Sequence, residues 1–177
     1  METKTIIHLP FTDDVIKSLK AGDMIYLSGV VYTARDAAHK RMCESLDAGR
    51  AMPFEFEGAA IYYAGPCPPK PGKPIGSVGP TTSGRMDLYA PHLIEQGLKV
   101  MIGKGFRSAE VIEAITKHTG IYLAAIGGAA ALMGKCVESA EIIAYEDLGT
   151  EAVRRLVVKE LPVIVAIDCR GNNMYER

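Results

Sequence analysis

Three short stretches place cations where a strand gives way to a helix. In "VVYTARDAAH", Arg35 sits at such a switch; in "VGPTTSGR", Thr81, Thr82 and Arg85 open the next helical stretch; in "VMIGKGFRS", Lys104 and Arg107 lie just past a strand end. Helix N-termini expose unpaired N–H groups and carry partial positive charge, so each junction already favours an anion. Arginine adds a fork that binds a carboxylate or phosphate through two hydrogen bonds, and lysine adds a point charge. Arg35, Arg85 and Lys104 are therefore three cations able to converge on such a group. Gly103 and Gly105 flank Lys104 and would let backbone approach a ligand closely.

Taken singly, each residue has a plainer reading. Thr81 or Thr82 can serve as an N-cap, Arg85 as a solvated helix residue, and Lys104 as a loop charge. His39, one turn after Arg35, suits a surface position or a satisfied core position. The conjunction of three junctions says more, and it points to an anion-binding α/β domain. The anion is not a nucleotide: "GPTTSGR" and "GKGFRS" match neither a P-loop nor a dinucleotide glycine pattern. No carboxylate cluster for Mg²⁺ stands near these loops in the sequence. A small organic acid fits better.

The elements that must position these residues alternate along the chain. "KTIIHL", "DMIYLSGVVYTA", "AAIYYAG", "LKVMIG", "IYLAAIGG", "VESAEIIAYED" and "PVIVAID" read as strands. "TDDVIKSL" reads as a short helix capped by Thr12, and "RDAAHKRMCESLDAG" as a helix with Ala38, Met42 and Leu46 on one face, closed by Gly49. "TTSGRMDLYAPHLIEQG" predicts one helix kinked or split by Pro91. Ser108 caps "AEVIEAITKHTG", and "AAALMG" makes a helical turn or two. "EAVRRLVVKEL" is ambiguous between helix and strand. "PCPPKPGKPIGSVGP" is a long loop that needs something else to hold it. Strands alternating with helices imply an α/β domain with at least one mainly parallel sheet.

Length and charge set the bounds. A chain of 177 residues suffices for one domain with a sizeable core. Twenty Lys and Arg against 21 Asp and Glu leave no electrostatic footprint for nucleic acid. The opening "METKTIIHLPFTDD" has no basic segment followed by a long apolar one, and "IYLAAIGGAAALMG" is too short and glycine-rich to span a bilayer, so a soluble cytoplasmic protein is expected. Cys43, Cys67, Cys136 and Cys169 show no metal-ligand spacing, and His8, His39, His92 and His118 are equally dispersed. Reduced, mostly buried cysteines and no metal in this chain are the expectation.

"GPTTSGRMDLY", "KGFRS", "YTARDAAHKR" and "IGGAAAL" together resemble the β subunit, or C-terminal domain, of class I fumarases. These belong with L(+)-tartrate dehydratase to the iron–sulfur hydro-lyases. The resemblance runs in order to "AIDCRGNN" and covers nearly the whole chain. It implies a swivelling three-layer β/β/α domain with a mainly parallel sheet, one domain over residues 1–177. It also implies a partner α subunit that carries a 4Fe-4S cluster, leaving this chain without metal, inactive by itself and part of a hetero-oligomer. The implied reaction is reversible hydration of fumarate, a small dicarboxylate, to L-malate.

On this resemblance Arg35, Arg85 and Lys104 match positions that grip the dicarboxylate, and Thr81 matches the catalytic base. His39 and Arg107 lie inside matching motifs as supporting residues, and Thr82 reads as a cap. A bare threonine hydroxyl is a poor base near neutral pH. The role requires nearby cations and a helix N-terminus to favour its alkoxide, or a concerted proton transfer. Two alternatives stand beside fumarate hydration: an L(+)-tartrate dehydratase β subunit, and a dicarboxylate-binding domain without catalysis.

Overall fold

A computed structural model of the chain describes residues 3–126 and 130–176. In order, its elements are β1 (Ile6–His8), α1 (Asp13–Ser18), β2 (Met24–Thr33), α2 (Asp36–Asp47), β3 (Ala60–Tyr62), a 3-10 turn (Ser83–Met86), α3 (Ala90–Glu95), β4 (Val100–Gly103), α4 (Ala109–His118), β5 (Ile121–Ala125), α5 (Ala130–Lys135), β6 (Val137–Ala144), a second 3-10 segment (Glu146–Glu151) and β7 (Val153–Ile167). Part of "IGGAAAL", residues 127–129, lies outside the described residues.

Strands β1 to β5 run parallel in sequence order, and β7 is antiparallel to β5, to β2 and to β6. Because β7 pairs with both β5 and β2, the strands β2, β3, β4, β5 and β7 close into a barrel, with β1 and β6 outside it. The mixed α/β class and the parallel run match expectation. The expected second sheet is not separate, since hydrogen bonding is continuous through all seven strands.

The alternation of side chains along the strands divides the core in two. Ala60, Tyr62, Val100, Ile102, Ile121 and Leu123 face the barrel interior. Their neighbours Ile61, Tyr63, Met101 and Tyr122 face outward beneath α2, α3 and α4, where Ala38, Met42, Leu93, Ile94 and Ile115 cover them. The long Pro-rich loop is held at its base by Cys67 N–H to Ser77 O (2.9 Å) and Gly76 N–H to Cys67 O (3.1 Å). Ile75 and Val78 from this loop, with Met133 of α5, pack into the interior core. The barrel is therefore filled with side chains, and any site must lie outside it.

Helices α1 and α4 begin as expected, with Thr12 and Ser108 hydroxyls accepting from Val15 and Val111 N–H at 3.3 Å each. The "EAVRRLVVKEL" ambiguity resolves as strand, because β7 is paired on both edges by β2 and β6. A bend at Glu160 (φ 50°) carries it into the expected "PVIVAI" strand. The helix expected from Thr81 onward is a correction. Thr82 forms a parallel bridge to Lys104, only one 3-10 turn follows, and α3 starts later with Pro91 in its first turn. Proline there is a helix opener, since its missing N–H falls among donors that have no intrahelical partner. The cysteines are also corrected. All four are free, but Cys67 is exposed and the other three are half-buried.

Candidate functional site

The parallel strands end on one rim, and the three junctions meet there. Arg35 follows β2 and occupies the N-cap position of α2 in extended backbone, without a side-chain capping bond. Its guanidinium lies against Gly65, where a Cβ would stand 3.2 Å from Arg35 Cδ. Two carboxylates flank it: Asp36 Oδ1 and Glu151 Oε1 are each 3.9 Å from Arg35 Nε. Asp36 reaches the second junction through its other oxygen, accepting from Arg85 Nε at 2.8 Å.

The segment carrying Arg85 is fastened to the strands by backbone. Thr81 N–H donates to Tyr63 O (2.7 Å), and Ser83 N–H donates to Lys104 O (2.9 Å). Arg35, Thr81, Arg85 and Lys104 are thus joined through direct neighbours into one edge of the molecule. Thr81 is half-buried, while Thr82, Arg85 and Lys104 are exposed. Thr82 sits at the N-cap position of the 3-10 turn, but its hydroxyl makes no capping bond. Thr81 stands before that turn, so no α-helix starts at Thr81 itself.

Beneath this edge lies a buried polar layer. Tyr122 O–H reaches Ser83 Oγ (2.8 Å) and Gly105 O (2.9 Å), linking β5 to both of the surface junctions. Gly103 serves this layer and not a ligand, which corrects the sequence expectation. A Cβ at Gly103 would collide with Ser83 Oγ and stand 2.8 Å from Tyr63 Cδ2. Gly105 adopts φ 85°, a turn conformation that glycine takes without strain. Gly103→Ala is expected to destabilise the chain by roughly 1–3 kcal/mol through overpacking, measured by urea denaturation; unchanged stability would mean that Ser83 and Tyr63 can retreat.

Arg107 belongs to the same buried layer. Its Nε donates to Asp87 Oδ1 (2.7 Å) and its Nη2 to Tyr63 Oη (3.2 Å), while its guanidinium lies 4.7 Å from the Tyr122 ring centre. Ser83, Asp87, Tyr63, Tyr122, Asp36 and Glu151 were missed by sequence reasoning. Asp36 had a local signal, adjacent to Arg35 in "ARD", and Ser83 and Asp87 stood inside "GPTTSGRMDLY"; Tyr63, Tyr122 and Glu151 had none.

His39 is fully buried, which decides between the two sequence readings for the core. Arg35 O can only accept, so Nδ1 of His39 donates to it at 2.8 Å. The other ring nitrogen, Nε2, is buried without a partner among the described residues. Burial, reinforced by the Arg107 charge and opposed by the bond to Arg35 O, holds the His39 pKa down at about 4. The unfolded imidazole titrates near 6.5, so the unfolded chain takes up a proton first as pH falls. The stability contributed by neutral His39 is full above pH 6.5 and is lost as pH falls to about 4, roughly 3 kcal/mol in all. His39→Gln, which keeps a donor and cannot titrate, should lose correspondingly less stability across that window in urea titrations at stepped pH.

Clefts of 420–550 Å³ on other parts of the described surface are lined by residues other than Arg35, Thr81, Arg85 and Lys104. The rim is an open surface, flanked by exposed Leu88 and Phe106. Among the described residues, no group of three or more His, Cys, Asp or Glu side chains could hold a metal ion. No described helix is long and apolar enough to cross a membrane.

Comparison with known proteins now bears on this geometry. A family model described as "Fumarase C-terminus" matches residues 2–177. The chain belongs to the fumarase C-terminus family. It is 40% identical over 153 residues to "Fumarate hydratase class I, anaerobic" of Escherichia coli (strain K12), covering 85% of this chain and 28% of that protein. It is 42% identical over 156 residues to "Fumarate hydratase 1, mitochondrial" of Leishmania major, again covering 85% of this chain and 28% of the relative. A third relative, "Putative L(+)-tartrate dehydratase subunit beta" of Methanocaldococcus jannaschii, is 38% identical over 167 residues, 91% of this chain and 86% of its own length. This member of the fumarase C-terminus family thus spans little more than a quarter of the fumarate hydratases and most of the tartrate dehydratase subunit.

Proposed function

We propose that the chain is the β subunit of a hydro-lyase that reversibly adds water to fumarate to give L-malate. One observation carries the reading: the cations and the threonine of the family motifs meet on one open rim, in a chain whose fumarate hydratase relatives are about three times its length. An exposed rim shields no reaction from water, and the missing wall is assigned to an α subunit. In this reading the domain is the swivelling one, its three layers being the parallel strands, the antiparallel β6–β7 side and the helices.

The dispersed donor set of this chain does not fit a 4Fe-4S cluster, so the cluster is assigned to the α subunit, where it supplies Lewis acidity toward the substrate hydroxyl. This chain supplies the remaining chemistry. Arg35, Arg85 and Lys104 bind the substrate carboxylates and fix the dicarboxylate against the rim. Proton removal from the carbon beside a carboxylate places negative charge on that carboxylate, and the same fixed cations stabilise it. Thr81 Oγ takes the proton. Orientation of the substrate between two rigid walls supplies a further part of the rate.

A second reading, the β subunit of an L(+)-tartrate dehydratase, is favoured by the extent of the Methanocaldococcus jannaschii match, which covers 86% of a subunit of similar length. Anaerobic co-expression with a cluster-bearing α subunit, followed by assays on fumarate, L-malate and tartrate, separates the two. The isolated chain is expected to be inert. A chain that binds dicarboxylates unaided and never associates with an iron–sulfur protein would overturn both readings in favour of a non-catalytic binding domain.

A further inference from the structure

We infer that Asp36 is a positioning residue, one carboxylate that holds both rim arginines in the orientation that receives substrate. The inference rests on the dicarboxylate-binding reading above. Asp36 Oδ2 accepts from Arg85 Nε at 2.8 Å, and among the described residues Arg85 donates through Nε alone. Its terminal nitrogens therefore remain free as a fork for a carboxylate. The Arg85 side chain is half exposed, and without this tie a long cation at that exposure would sample many rotamers.

The other oxygen of Asp36 faces Arg35. Asp36 Oδ1 and Arg35 Nε are both buried, neither has a hydrogen-bond partner among the described residues, and they stand 3.9 Å apart. Glu151 Oε1 lies at the same distance from Arg35 Nε, and Gly65 lies against the guanidinium, where a methyl group would press on Arg35 Cδ at 3.2 Å. A buried donor and a buried acceptor left just out of reach gain a bond from a small movement. Substrate drawing Arg35 onto its carboxylate would be accompanied by closure of this pair. Asp36 is itself set in place as the first residue of α2, where the helix N-terminus favours negative charge. Its carboxylate also lies between two guanidiniums that would otherwise repel each other.

The test is a double-mutant cycle between Asp36 and Arg85 in the assembled complex. Asp36→Ala is expected to raise KM for L-malate by about tenfold or more and to lower kcat by a smaller factor, because the arginines hold the substrate carboxylates throughout and gain only part of their grip as charge develops. Asp36→Asn keeps one carbonyl acceptor and should recover part of that loss. In an Arg85→Ala background, Asp36→Ala should raise KM by clearly less than in the parent, about threefold, the remainder being its hold on Arg35. Additive effects, or an unchanged KM in Asp36→Ala, would overturn the positioning role. A purely structural role would lower the melting temperature of both Asp36 variants without this coupling in KM. L-Malate binding by calorimetry is run in parallel. A complex that binds L-malate without turning it over overturns the reaction proposed, and the cycle is then read on affinity. A complex that binds no dicarboxylate overturns both.

Discussion

Thr81→Ala in the assembled complex is expected to lower fumarate hydration about a thousandfold, within the range for losing a positioned general base. The backbone of Thr81 is fixed by its N–H bond to Tyr63 O at 2.7 Å, so the substitution removes a hydroxyl without loosening the chain. Association with the α subunit, followed by size-exclusion chromatography, should be unchanged. KM should move little, because the substrate carboxylates are held by the arginines and lysine; the loss should fall on kcat. Thr81→Ser keeps the hydroxyl and should stay within about tenfold of the parent rate, the difference reflecting freer rotation of an unbranched side chain. A Thr81→Ala complex with parental kcat would sink the proposed base.

The structure also narrows how such a base would work. No α-helix begins at Thr81, so its own chain segment lends no helix dipole to favour an alkoxide. The rim cations Arg35 and Arg85 are partly offset by Asp36 and Glu151. This arrangement suits proton transfer concerted with substrate binding at the cations better than a standing alkoxide.

The local signals in the sequence were sufficient where the physics is local. Thr12 and Ser108 announce helices because a cap is a contact across three residues. The three cations were legible because glycine, proline and arginine mark the strand ends. What surrounds them was not. Ser83 meets Tyr122 across 39 positions, Glu151 meets the start of α2 across 114, and Arg107 meets Tyr63 across 44. Parallel pairing of β3, β4 and β5 brings the first and third of these pairs together, and pairing of β7 with β2 brings the second. The stretch from Thr81 was misread for a related reason. A polar opening followed by apolar residues suggests a helix, yet pairing of Thr82 and Ser83 with Lys104 keeps the chain extended.

Arg107→Met tests whether the buried layer, and not substrate binding, is the business of the second arginine in "GKGFRS". The Arg107 side chain is wholly buried, and its partner Asp87 is 13% exposed. Asp87 also accepts from Ser108 N–H through Oδ2 at 2.6 Å, so the pair joins the 3-10 region to the start of α4. Tyr63 and Tyr122 stack against the guanidinium, at 5.2 and 4.7 Å from their ring centres. Removing the cation leaves the Asp87 carboxylate largely desolvated and unpaired, which costs about 3–5 kcal/mol in comparable buried pairs. Urea denaturation of the isolated chain should register that loss. Arg107→Lys should fall between, because a lysine keeps the charge but cannot donate along the fork to Asp87 and Tyr63 together. Arg107→Met with Asp87→Asn should recover much of the stability, since a neutral pair leaves no buried charge behind. In the assembled complex, Arg107→Lys should keep KM within about twofold of the parent, as expected for a residue that does not touch substrate. A fully stable Arg107→Met whose only defect is a raised KM would instead place Arg107 beside Arg35 and Arg85 as a substrate-binding group.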